Sequence, residues 1–223
     1  SLWAVTVETI DPVFLQQLLG MLHSPEDEVV LCVLDIFAVL SPAMEKVDEY
    51  TAEYIYLYVM KALRINSEKR RDIFNKILDS LVTFPFHKLS AETLDKLPFE
   101  IIQLGGMQTV SARVSIYTFL SSAVHFWKTV DLNMKVLALL LLTIGDESST
   151  AAAEACRSTI ALCQHLLDLG EDGFEAQPAV EVMVEELNNQ QGRFASEDIY
   201  ERVNAYDKVA SVLGQPGIMG MSE

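Results

Sequence analysis

Basic residues are scarce in this chain: 16 Lys and Arg stand against 32 Asp and Glu across 223 residues, a net charge of −16. That balance argues against a general nucleic-acid binder, because neutralising phosphates needs a basic surface. It also argues against attachment to an anionic membrane face. Cysteine is sparse, with only Cys32, Cys156 and Cys163. An odd, thin set inside apolar helical runs reads as reduced, buried thiols and not as a disulfide framework. No N-x-[ST] acceptor occurs. The longest mainly apolar run, Val136 to Ile144, is far short of the roughly 18 residues a membrane span needs. Glycine (10) and proline (7) are few and alternating β-branched runs are scarce, so strand and collagen readings fall away. No basic, apolar leader opens the chain. It starts at Ser1 and not Met, with apolar Leu2, Trp3, Val5, Val7 and Ile10 close behind, which we read as a fragment of a longer protein. The expected location is intracellular, in cytoplasm or nucleus.

What is present is core-forming material. Half the residues are hydrophobic, 22% are charged and the mean hydropathy is +0.23, which excludes intrinsic disorder. The length suits one large domain or two small ones. A chain of this size buries about 70% of its unfolded surface and needs neither disulfides nor metal to stand. Asp11-Pro12, Ser24-Pro25 and Ser41-Pro42 each place a capping residue before a proline at a first helical position. Between them run helical spacings: Phe14, Leu15, Leu18, Leu19 and Leu22, then Val29, Val33, Phe37 and Leu40, widened by Val30, Leu34 and Ile36. Further on come Ile73, Phe74, Ile77, Leu78 and Leu81, and Leu137, Leu140, Leu141 and Ile144. These predict an all-α protein of about ten helices.

Polar turns at His23-Ser24-Pro25, Ile65-Asn66-Ser67, Met107-Gln108-Thr109 and Gly145-Asp146-Glu147 recur about every 40 residues, a period typical of stacked helical repeats. The unit Asp11–Leu40 carries the pattern best: LLGMLHS, an acidic turn PEDEV, then VVLCVLDIFAVL. In these residues the chain resembles an armadillo/HEAT-type repeat. The later units (about 51–83, 90–128 and 131–169) follow it in spacing and apolarity. The resemblance implies a right-handed α-solenoid of about four to five helical-hairpin repeats over 1–169, acting as a protein-binding surface. An irregular helical bundle is the alternative. The Trp-x-x-x-Asn pairs of nuclear-import adaptors are missing, since Trp127 is followed by Asn133. After Leu169 the chain turns acidic. Gly170 to Gly173 reads as a hinge, Pro178 starts a helix, and Glu171–Glu223 holds eleven acidic residues against Arg193, Arg202 and Lys208. Residues 170–213 are expected to form acidic capping helices, and 214–223 a disordered tail.

No nucleophile elbow, P-loop, dinucleotide fingerprint or H-E-x-x-H occurs, and Gly105-Gly106 reads as a helix break. Cys156, Cys163 and His165 do not share a helix face, so no metal and no cofactor is expected. His23, His87 and His125 lie in turns or beside the aromatics Phe126 and Trp127, with no acid–nucleophile pairing visible. Three features suggest binding. An acidic stretch (Glu26, Asp27, Glu28, Asp35, Glu45, Asp48, Glu49, Glu53) with one Lys46 would steer a basic partner, or simply be a solvated surface. Tyr50, Tyr54 and Tyr58, at i, i+4, i+8, share a face opposite Ala52, Ile55, Val59 and Leu63, as interface anchors or as packing between helix pairs. A basic cluster of Lys61, Arg64, Lys69, Arg70, Arg71 and Lys76 would hold an anion or an acidic peptide, or pair with acidic neighbours. Tyr50, Tyr54, Tyr58, Glu26, Asp27, Glu49, Arg70 and Arg71 are therefore the candidate partner-binding residues. The expected function is a non-catalytic interaction scaffold that binds a peptide or subunit, with neither nucleic acid nor membrane as a direct partner. A structural segment of a large assembly and a helical regulatory subunit of an enzyme are the alternatives.

Overall fold

The computed structural model describes residues 10–66, 71–81, 86–105, 109–123, 130–169 and 177–213. Several residues singled out above lie outside them: Leu2, Trp3, Val5, Val7, Lys69, Arg70, Gly106, Met107, Gln108, His125, Phe126, Trp127, Gly170 to Gly173 and the 214–223 tail. Among the described residues the chain forms ten α-helices, one 3₁₀ turn and no strand. Local chemistry sets several of the helix starts. Asp11 caps α1 (Pro12–Met21) as expected, its Oδ1 accepting from the Val13 and Phe14 N–H groups at 2.8 and 3.0 Å. Pro12 takes the first position, where a missing N–H removes no bond.

The second helix, α2 (Asp27–Met44), begins later than Ser24-Pro25 suggests. The Ser24 hydroxyl accepts from the Glu26 N–H at 3.1 Å and shapes the turn. Asp27 and Glu28 then place negative charge at the positive end of the helix dipole. Ser41-Pro42 starts no helix. Pro42 lies in the last turn of α2, where it removes one hydrogen bond while buried Leu40, Ala43 and Met44 hold the chain helical. The start falls instead at Asp48, which accepts from the Thr51 N–H at 2.7 Å ahead of α3 (Glu49–Asn66). There follow α4 (Arg71–Leu81), the 3₁₀ turn (Phe86–Lys88), α5 (Ala91–Gly105), α6 (Val110–Ser122), α7 (Val130–Thr143), α8 (Ser149–Leu169), α9 (Gln177–Phe194) and α10 (Ile199–Leu213).

The chain divides into two compact units, 1–108 and 109–223. In the first, α1 packs on α2 and α3, α2 on α4, and α3 on α4 and the 3₁₀ turn. The periodic residues supply this core: Leu15, Leu18, Leu19 and Leu22 of α1, Val33 and Phe37 of α2, and Ile73, Phe74, Ile77, Leu78 and Leu81 of α4 are all buried. Each such side chain contributes about 1.5–3 kcal/mol by leaving water. Of the expected α2 stripe Ile36 is exposed (37%), and beside it Cys32 and Val39 (72%) are open as well. Cys32 therefore departs from the buried-thiol expectation, because it faces away from both α1 and α4. Polar bonds tie α5 to α3. Glu100 Oε2 accepts from Tyr56 Oη and from Arg64 Nη2, each at 3.1 Å. Glu53 accepts from the Ser90 N–H at 2.8 Å and the Thr93 hydroxyl at 2.9 Å.

In the second unit α8 is central, packing on α6, α7 and α9, while α10 packs on α9. Small buried side chains (Ala151, Ala152, Ala155, Ser158 and Thr159) let its neighbours approach. Cys156 and Cys163 are buried on the same helix, and burial pushes both thiols up to about 12. This unit does not follow the composition break after Leu169, since α9 packs on α8 across it. On α10 Ile199 (57% exposed), Tyr200 (76%) and Val203 (49%) stand exposed beside Glu201, Asn204, Asp207 and Lys208. Within each unit the packing of helix on helix is compatible with a helical repeat, and the irregular-bundle alternative fits as well.

Candidate functional site

Three separate stretches of sequence meet in a cleft of about 520 Å³ within the first unit. The Asp11 cap sets the start of α1, which presents Pro12, Leu15 and Gln16. Because α2 runs on through Pro42, its end delivers Ala43, Lys46 and Val47 to the same place. The Asp48 cap then turns the chain into α3, which lines the cleft with Asp48, Tyr50, Thr51 and Tyr54. Buried Leu15 and Ala43 make an apolar floor, and Tyr50, 81% exposed, stands at the edge. The volume falls within the range of about 300–1,000 Å³ usual for ligand pockets.

The tyrosine row divides along its length. Tyr50 and Tyr54 line the cleft, whereas Tyr58 packs elsewhere. The Tyr58 ring stacks on His23 at 5.4 Å and 8°, and His23 Nε2 lies 3.1 Å from the Tyr58 carbonyl oxygen. Tyr54 Oη donates to Tyr58 Oη at 3.1 Å, a bond that, with some burial, raises the Tyr54 phenol above its ordinary value. Opposite the row, Ala52, Ile55, Val59 and Leu63 are buried. Burial, with the Glu100 charge behind it, holds the Tyr56 phenol far above the usual range.

The acidic stretch is dispersed into separate tasks. Glu26, Asp27, Glu28 and Glu49 are exposed. Asp35 accepts from Lys76 at 2.7 Å, and Glu45 lies 3.4 Å from His87 Nε2. Asp48 caps α3, and the Thr51 bonds hold its carboxyl below the usual range. Of the basic cluster, Arg64 pairs with Glu100 and Lys76 with Asp35. Arg71 opens α4, but its side chain lies outside the described residues, as does all of Arg70.

Sequence reasoning missed a second polar centre, in the other unit. Asp146 Oδ1 and Oδ2 accept from Arg113 Nη2 and Nε at 2.9 and 2.7 Å. Tyr117 Oη donates to Oδ2 at 3.0 Å and the Ser148 N–H to Oδ1 at 2.9 Å. Burial works to raise the Asp146 carboxyl, but these bonds and the Arg113 charge outweigh it and hold it low. Both oxygens are fully occupied, so the cluster clamps α6 to the α7–α8 turn. It has no lone pair to offer a substrate. The only sequence signal was the turn at Gly145-Asp146-Glu147.

Among the described residues no group of His, Cys, Asp or Glu forms a metal-holding cluster, and no helix is long and apolar enough to cross a membrane. Compared with known proteins, the chain matches no family model, no curated protein and no solved structure.

Proposed function

We propose that the chain is a non-catalytic protein–protein interaction scaffold, built of armadillo/HEAT-like helical repeats, that binds a peptide or subunit through the α1–α2–α3 cleft. The observation that carries this reading is the cleft itself: an apolar floor with a nearly fully exposed tyrosine at its edge. Tyrosine combines a large apolar ring with a polar tip and is enriched where binding energy concentrates. The repeat reading draws support from the first unit, where α1 packs on α3 and α2 on α4, so that like helices of successive pairs adjoin. The test is affinity capture from cell extract with the wild-type chain and with Tyr50→Asp, at low and moderate salt, read by mass spectrometry. A protein retained by the wild type and lost with Tyr50→Asp is expected. Identical capture by both would overturn the cleft as the binding surface.

A second reading, a structural segment of a large assembly, is favoured by Ile199, Tyr200 and Val203 on the outer side of α10. Contiguous exposed apolar side chains of this kind mark surfaces that other protein covers. Crosslinks from α10 and none from the cleft would favour it.

A further inference from the structure

Resting on the scaffold reading, we propose that the cleft accepts a cationic side chain of a peptide partner, an arginine or lysine. Its aliphatic stem lies on Leu15, Ala43 and Val47, and its charged head meets the Asp48 carboxylate and the Tyr50 ring.

Shape, charge and aromatic content point the same way. The floor is apolar while one wall carries a carboxylate, which matches a side chain that is apolar along its length and cationic at its tip. Asp48 uses Oδ1 to cap α3, and capping leaves its negative charge in place, offset in part by Lys88, whose Nζ donates to the Val47 carbonyl oxygen at 2.7 Å. Asp11 and Glu49, both exposed, start the two helices that flank the cleft and add to the field. Tyrosine faces attract cations, most strongly where water is partly excluded, as on half-buried Tyr54, and Tyr50 offers a second, open ring at the edge. A purely apolar occupant would strip water from Asp48 without supplying a partner, which is costly. An acidic occupant would meet the same carboxylates with the wrong sign. A second copy of the chain would bring its own charge of −16. Lys46 is the one cation among the described lining residues, so removing it should strengthen binding.

The experiment selects heptapeptides from a random display library on the full chain. It compares wild type, Asp48→Asn, Tyr50→Ala and Lys46→Ala, then measures the enriched peptides by fluorescence polarisation. Asparagine caps a helix about as well as aspartate, so Asp48→Asn removes the charge and keeps α3; an unchanged thermal midpoint verifies this. Enriched peptides are expected to carry Arg or Lys. Their affinity should fall about fivefold to tenfold in Asp48→Asn and in Tyr50→Ala, and weaken with salt. In Lys46→Ala it should rise about twofold. Enrichment of uncharged or acidic peptides that depend on Tyr50 would overturn the cationic occupant and leave the scaffold reading standing. No Tyr50-dependent enrichment, with the cleft taken by a second copy or by the chain's own residues 1–9, would overturn both.

Discussion

Phe37 and Tyr50 belong to the same unit, yet truncating them should have very different consequences. Phe37 is 1% exposed, in the middle of α2. Phe37→Ala removes a ring from a closed core and leaves a cavity, so urea denaturation should report a loss of about 3–5 kcal/mol. Tyr50 is 81% exposed. Tyr50→Ala should stay within about 0.5 kcal/mol of wild type in the same experiment. Tyr54, half-buried and hydrogen-bonded to Tyr58, belongs between them. A loss of several kcal/mol from Tyr50→Ala would mean that the ring holds the fold, and the cleft would lose its binding edge.

Between elements, the Arg113–Asp146 pair is the most enclosed ion pair among the described residues. Its two side chains are 14% and 6% exposed. Removing Arg113 leaves the Asp146 carboxylate buried with only the Tyr117 and Ser148 bonds, so Arg113→Ala should cost about 2–4 kcal/mol. The pair also has a pH signature. The Asp146 carboxyl is held below its unfolded value. Its contribution is therefore complete above the unfolded pKa and is lost as pH falls through the folded one. Urea midpoints of wild type should drop between about pH 5 and pH 2, and Asp146→Asn should flatten that part of the curve. An unaltered acid branch in the variant would show that other carboxylates set it. The same scale explains which boundaries were legible in advance. Asp11-Pro12 is a local signal with a local outcome, so it was read correctly. Ser41-Pro42 carries the same local chemistry, but the burial of Leu40, Ala43 and Met44 outweighs it and carries α2 past the proline. The all-helical character came through because 3.6-residue spacing recurs in nearly every segment.

For the whole molecule, two compact units imply two cores. Phe37→Ala should accelerate hydrogen exchange in α1 to α5 and leave α6 to α10 close to wild type. Equal acceleration throughout would show one cooperative unit. The candidate site was only partly readable from sequence for a related reason. The tyrosine spacing was visible along one helix. The floor it faces comes from Leu15 and Ala43, nearly thirty residues apart, which only the packing of α1 on α2 and α3 brings together. The acidic stretch was visible as composition, but its division into caps and ion pairs depends on partners as distant as Lys76 and Ser90.

The placement of the three thiols supplies a clock. Cys32 is open to solvent in the first unit, whereas Cys156 and Cys163 are enclosed in the second. A maleimide reagent should label one thiol at once and the other two only as the α8 core opens, because burial suppresses the reactive thiolate. Mass spectrometry of the adducts over time then reads the opening of the second unit alone, with Cys32 as the internal standard for reagent strength. Oxidising conditions should likewise join chains pairwise through Cys32, and a Cys32→Ser chain should remain single under the same treatment.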